Sequence, residues 1–182
     1  MPKLIAFLRA INVGGHNVKM DDLRKLFEEL GLSNVETFIA SGNVIFDAPA
    51  EDVQALERRI EGYLRSALGY EVATFIRSAP ELAAIVEYEP FTASELAVEG
   101  TSLYIAFLHA PPSDEAQAKL MAFRTDVDDF HFHGRELYWL CRTRLSESKF
   151  SGALLEKTLK MPSTMRNSTT VRKLAAKYPA SG

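Results

Sequence analysis

The spacing of apolar residues changes several times along the first part of the chain. Short apolar runs bounded by Gly, Pro, Asn or Ser predict strands at 3–8, 34–40, 43–47 and 71–77. Between these runs, apolar residues three and four positions apart predict helices at 20–30 and 51–68. The resulting order, βαββαβ, is that of a ferredoxin-like unit.

A further helix is predicted from Ser78 to about Tyr88, because Ser78 can cap it and Glu81 stands three residues later. The strand pattern then begins again, and the run from Ile105 to Leu108 repeats the run from Ile5 to Leu8 at a spacing of 100 residues. This repeat suggests an internal duplication. The elements predicted after it are strands at 102–110, 128–133 and 135–141 and helices at 113–124, 150–159 and 168–177.

These elements predict an α+β fold of two subdomains. The N-terminal subdomain, residues 1–100, is expected to be ferredoxin-like. The C-terminal subdomain, residues 101–182, is expected to be a related β-α-β-β unit followed by C-terminal helices that carry a basic tail. With 182 residues, of which 47% are hydrophobic, the chain has enough apolar material to build such cores.

Cysteine content and hydropathy favour a cytoplasmic protein. Cys141 is the one cysteine of the chain, so an internal disulfide is excluded and a thiolate metal site cannot be built. The apolar run near the N-terminus is too short for a signal-peptide core, and no later run is long enough to span a bilayer. We therefore expect no membrane insertion.

Charge is distributed unevenly along the chain. The formal net charge of -3 argues against indiscriminate nucleic-acid binding. Residues 142–177, however, carry nine Lys or Arg against Glu147 and Glu156, a net charge of +7. This segment could attract the phosphates of a nucleic acid. The alternative is that its charges form the solvated faces of two C-terminal helices.

A polar loop with two glycines follows the first predicted strand. It contains Arg9, Asn12, Gly14 and Gly15, and a helix begins soon after it. Free backbone amides at such a helix start, together with the helix dipole, can hold an anion. The alternative is that the glycines serve the geometry of a turn, since glycine accepts a positive φ.

Two more polar segments could take part in a binding site. The first includes Ser41 and Asn43 in a predicted hairpin, and the second, residues 164–170, includes Arg166, Asn167 and Thr170. In a βαββαβ unit the hairpin can lie next to the loop at Arg9. The planar guanidinium groups of arginine suit phosphate or carboxylate, and asparagine both donates and accepts hydrogen bonds.

These same side chains also have structural interpretations. Arg9 and Arg166 could bind local carboxylates or backbone carbonyls and hold the two halves of the chain together. Asn167 or Ser168 could cap the last helix. All three polar segments could then serve only to fix the interface between the subdomains.

No reaction follows from the remaining residues. His131 and His133 alternate with Phe130 and Phe132, which could present two imidazoles to a metal, but a half-buried hairpin gives the same alternation and no third ligand is evident. The motifs of P-loop nucleotide sites, zinc proteases and nucleophile-elbow hydrolases are absent. The sequence therefore assigns no catalytic residue, no metal and no cofactor.

The three polar segments resemble the conserved motifs of a bacterial family known as domain of unknown function 1697. The resemblance covers residues 9–15, residues 41–46 and a closing motif made of Thr164, Arg166, Asn167, Thr170, Val171, Lys173 and Leu174. Ser168 departs from the family pattern, which often has tryptophan there. The resemblance implies two α+β subdomains, the first ferredoxin-like, and it implies no established activity.

Two functional hypotheses remain at this stage. The first is a cytoplasmic protein that binds a small anionic or phosphorylated ligand or a nucleotide through the polar segments. The second is a module without catalysis that binds RNA or another protein through the basic segment 142–177.

Overall fold

A computed structural model describes residues 1–9, 18–38, 42–144 and 147–180. In this part of the chain, the N-terminal elements are β1 (Lys3–Leu8), α1 (Met20–Glu29), β2 (Ser33–Thr37), β3 (Asn43–Asp47), α2 (Val53–Leu68), β4 (Thr74–Ser78) and α3 (Ala79–Glu87). The elements that follow are α4 (Ala93–Leu96), β5 (Ser102–Phe107), α5 (Asp114–Met121), β6 (Asp128–His133), β7 (Glu136–Cys141), α6 (Gly152–Leu159), β8 (Thr164–Asn167) and α7 (Ser168–Lys177).

The strands form two four-stranded antiparallel sheets with the same topology. The order is β2-β3-β1-β4 in the first sheet and β6-β7-β5-β8 in the second. The predicted α+β fold with two subdomains, the first of them ferredoxin-like, is confirmed. The second sheet adds one strand, β8, to the β-α-β-β unit that the sequence predicted, and it thereby also completes a βαββαβ order.

The chain forms two compact units, and their boundaries differ from the predicted boundary at 100/101. One compact unit, called the first unit below, comprises Met1–Ile85 and Leu174–Gly182, and the second unit comprises Val86–Lys173. Residues just before 100 pack with the second unit, since Arg142 donates a hydrogen bond to Glu95 at 3.3 Å. The end of the chain packs with the first unit, where the ammonium of Lys177 lies 4.6 Å from the ring centre of Phe38.

Apolar burial explains the helices of the first unit. The face of β1 that carries Leu4, Ala6 and Leu8 packs in one cluster with Leu23 and Phe27 of α1 and with three residues of α2, Leu56, Ile60 and Leu64. Asp52 caps α2 by accepting a hydrogen bond from the Ala55 amide at 3.0 Å. The helix ends at Gly69, whose φ of +83° favours glycine. Sequence and structure agree here to within two residues.

Carboxylates of the packed helices protect the edge strand of each sheet. In the first sheet, the Ile76 amide donates to Glu57 at 2.8 Å and the Thr74 amide donates to Glu61 at 2.8 Å. In the second, the amide of Ser163, the residue just before β8, donates to Glu156 at 2.8 Å. Unpaired amides on a sheet edge invite pairing with another chain, so these side chains stabilise the edges and also block them.

Asp47 is expected to contribute to stability only above acidic pH. Asn34 donates to it at 2.7 Å and the Lys3 ammonium lies 3.1 Å away, and these contacts lower its pKa. A carboxyl whose folded pKa is depressed stabilises the fold above its unfolded pKa, and this contribution is lost as pH falls through the folded value. The Tm of Asp47→Asn should therefore fall less than that of wild type between about pH 5 and pH 3. The corresponding difference in the free energy of unfolding is below about 1 kcal/mol. Equal slopes for variant and wild type would contradict this assignment.

Candidate functional site

Two of the predicted polar segments meet at one end of the first sheet. Phe7 of β1 lies opposite Asn43 of β3. Beyond this pair, the Leu8 amide donates to the carbonyl of Gly42 at 2.8 Å, and the Arg9 amide donates to the carbonyl of Ala73 at 2.9 Å. The start of the Arg9 segment therefore lies beside the hairpin turn, as the βαββαβ order suggests. The Arg9 side chain is exposed.

Described residues on both sides of the hairpin turn are joined by hydrogen bonds. Gly42 adopts a φ of +78°, a conformation that favours glycine. Asn43 is almost fully buried, its side-chain amide donates to the carbonyl of Phe38 at 3.1 Å, and its own carbonyl accepts from the Phe38 amide at 3.1 Å. Asn43 thus has a structural role, because it joins the two sides of the hairpin through Phe38.

Several predicted contacts lie outside the described residues. These are Asn12, Gly14 and Gly15 of the first segment and Ser41 of the hairpin.

The third polar segment belongs to the second unit, where it forms β8 and the start of α7. Nη1 of Arg166 donates to the Thr164 hydroxyl at 2.8 Å and to the carbonyl of Met165 at 3.0 Å. Burial lowers the pKa of Arg166 to about 10, so the guanidinium keeps its charge at neutral pH. These contacts agree with the structural interpretation, in which Arg166 binds local backbone carbonyls.

The remaining residues of this segment lie at the start of α7. The side-chain oxygen of Asn167 accepts a hydrogen bond from the Thr169 amide at 2.9 Å, which agrees with a capping role. Ser168 is buried, and Thr170 is partly buried in the first turn of the helix.

Arg77, which no sequence motif marked, is the counterpart of Arg166 in the first unit. Arg77 lies opposite Ile5, just as Arg166 lies opposite Ile105. Each guanidinium donates to the carbonyl of the preceding residue, at 2.9 Å from Arg77 to Ile76. The repeat of the sequence Ile5–Leu8 at Ile105–Leu108 was the signal in the sequence that could have shown that these two arginines are equivalent. Arg77 is fully buried, which favours a structural role.

His131 and His133 lie on one face of β6, as their alternation with phenylalanine predicts, and Tyr88 contacts both of them. The Tyr88 hydroxyl lies 2.5 Å from Nε2 of His131, and its ring stacks on His133 with centroids 3.7 Å apart. The ring of Tyr138 packs against Tyr88, and burial raises the pKa of the Tyr138 hydroxyl, so that this hydroxyl carries no charge next to the histidines. In the described ranges, no three His, Cys, Asp or Glu side chains are grouped so that they could hold a metal ion.

A comparison with family models decides where this chain belongs. The model described as "Protein of unknown function (DUF1697)" matches residues 1–138, about three quarters of the chain. The chain belongs to this family. The match includes the Arg9 segment and the hairpin, whereas the segment at 164–170 lies outside it.

A solved structure shares the fold of this DUF1697 protein. It is that of the conserved bacterial protein SP0830 from Streptococcus pneumoniae, which is similar over 98% of both chains with a TM-score of 0.73 and 24% identity. At this identity the likeness shows the fold alone. A comparison with curated proteins gave no match.

The basic segment of the DUF1697 protein is spread over several elements. Arg142 is engaged with Glu95, whereas Lys157 of α6 and Lys173 of α7 are exposed. Such scattered cations are typical of solvated helix faces. No helix in the described ranges has both the length and the apolar character needed to cross a membrane.

Proposed function

We propose that this DUF1697 protein is a cytoplasmic protein that binds a small anionic ligand, a phosphorylated metabolite or a nucleotide, at the end of β1. The observation that carries the proposal is the hydrogen bond of 2.8 Å between the Leu8 amide and the Gly42 carbonyl. It brings together two polar segments that are more than 30 residues apart in the sequence.

Arg9 is the proposed main contact for the anion. Its guanidinium is permanently charged and can bind a phosphate with two parallel hydrogen bonds. Its backbone is fixed by the bond to Ala73 and by the buried residues Phe7 and Leu8 that precede it. A charged side chain on a rigid strand end can be positioned more accurately than one on a loop.

The neighbouring residues would complete the site. Asn12 and Ser41 supply side-chain hydrogen bonds in this proposal, and Gly14 and Gly15 supply backbone amides without steric hindrance. Asn43 is a further proposed contact, and it would share its side-chain amide between the ligand and the carbonyl of Phe38. Arg166, Asn167 and Thr170 belong to the second unit, and as ligand contacts they stay predictions from the sequence.

The proposal is tested with Arg9→Ala and a matched control, Arg58→Ala, which removes another exposed arginine of the first unit. Thermal shifts are measured with ATP, GTP, glucose 6-phosphate and inorganic phosphate, because selective binding raises Tm by mass action. We expect at least one compound to stabilise wild type and Arg58→Ala equally. We expect Arg9→Ala to be folded and to bind that compound at least tenfold more weakly, about 1.4 kcal/mol.

The same measurement separates this function from RNA binding. Repeating it with a short single-stranded RNA at two salt concentrations tests the basic segment, because binding to a phosphate backbone weakens steeply as salt rises. If Arg9→Ala folds normally and binds every compound as tightly as wild type, the proposed function is wrong.

A further inference from the structure

The second unit contains a cavity of about 470 Å³ that no part of the proposed function uses. It lies between the residues that follow α5 and the residues that lead into α6. Its apolar walls come from Phe123, Val127, Phe150 and Leu154. The volume falls in the range of roughly 300–1,000 Å³ that is typical of small-molecule sites.

Asp128, the first residue of β6, lines this cavity, and it is only 4% exposed. One carboxylate oxygen accepts a hydrogen bond from Nε1 of Trp139 at 2.8 Å, and the other accepts from the Ser148 hydroxyl at 2.8 Å. Both donors are neutral. Among the residues that the structure describes, no lysine, arginine or histidine forms an ion pair with Asp128.

A buried carboxylate without a cation is costly, because neutral hydrogen bonds replace only part of its hydration. Opposite Asp128 in the sheet lies Cys141, whose pKa is raised by burial, so its thiol is neutral and does not compensate the charge. A bound cation would offset this cost.

The other charged side chains around the cavity also favour a cationic ligand. Asp126 and Glu147 line it as well, against a single cation, Lys149, and all three of these side chains are exposed. The lining therefore carries three carboxylates and one ammonium, with the buried carboxylate among apolar walls.

We propose that this cavity binds a small organic cation, an amine with an aromatic or branched apolar part. The ammonium group would bind the Asp128 carboxylate, and the apolar part would pack against Phe123 and Phe150. The site is distinct from the proposed anion site in residues, in compact unit and in the sign of the ligand charge.

Three probes with the same ring test the proposal by isothermal titration calorimetry at neutral pH: tryptamine, a cation; tryptophol, a neutral alcohol; and indole-3-acetate, an anion. We expect tryptamine to bind wild type at least tenfold more tightly than tryptophol, and indole-3-acetate to bind most weakly. Asp128→Asn keeps an oxygen that can accept from Trp139, and it should reduce the preference for tryptamine to less than threefold.

Two further variants keep the test decisive. Asp114→Asn removes an exposed carboxylate of α5 outside the cavity and should bind tryptamine like wild type. Ala122→Trp changes an exposed alanine that lines the cavity, so it should fold normally and block all three probes. The proposal is overturned if no probe binds wild type, if tryptamine binds no more tightly than tryptophol, or if folded Asp128→Asn keeps the full preference.

Discussion

Replacing Trp139 by alanine is expected to lower the free energy of unfolding by about 4 kcal/mol, because it combines a large cavity with a lost polar contact. Trp139 is almost fully buried in the central strand β7. Its ring lies 5.1 Å from that of Tyr104 and 4.9 Å from that of Phe150, and its indole N–H donates to Asp128. Urea unfolding followed by far-UV circular dichroism measures the loss.

A second variant separates the cost of the cavity from the cost of the lost hydrogen bond. Trp139→Phe keeps an aromatic ring but removes the indole N–H, which leaves the buried Asp128 carboxylate with one donor fewer. We expect a loss of about 2 kcal/mol for this variant. A loss below about 1 kcal/mol for Trp139→Ala would contradict the packing described for the second unit.

The second large effect is expected at Glu57, which is 2% exposed and accepts a hydrogen bond from the Ile76 amide. Glu57→Leu keeps an apolar stem of similar size but leaves the amide of an edge strand without this acceptor. The expected loss is about 2–3 kcal/mol, since an unsatisfied buried amide costs its full desolvation. The same variant should speed hydrogen exchange at the Ile76 amide, which NMR can follow residue by residue.

Glu57→Gln is the matched control, because its side-chain oxygen can still accept from Ile76. It should lose clearly less stability than Glu57→Leu. If Glu57→Gln and Glu57→Leu destabilise equally, the charge of Glu57 rather than its bond to the strand edge is what matters, and the account of edge protection fails.

Much of the fold follows from local patterns in the sequence. The predicted strands at 3–8, 43–47 and 128–133 coincide with β1, β3 and β6. Apolar runs define β1 and β3, and the alternation of Phe with His before Gly134 defines β6. Strand β8 was missed because its four residues, Thr164 to Asn167, contain one apolar side chain and no alternation. Pairing with β5, a tertiary effect, makes it a strand.

The candidate sites were only partly predictable. The order of elements suggested that the Arg9 segment and the hairpin could be neighbours, and the backbone bond between Leu8 and Gly42 joins them. Asn43 was named for its hydrogen-bonding groups, but its burial and its bond to Phe38 depend on how the hairpin closes. The proposed cation site at Asp128 gave no signal in the sequence, because the hydrogen-bond partners of Asp128, Trp139 and Ser148, come from distant positions.

Mapping of the bound anion by NMR tests the central claim most directly. The compound that gives the largest thermal shift is titrated into isotopically labelled protein, and amide shifts are compared along the chain. Binding at the end of β1 predicts the largest changes at residues 8–17 and 41–43, and these changes should be absent in Arg9→Ala. Changes confined to α6 and α7, or identical changes in Arg9→Ala, would contradict the proposed site.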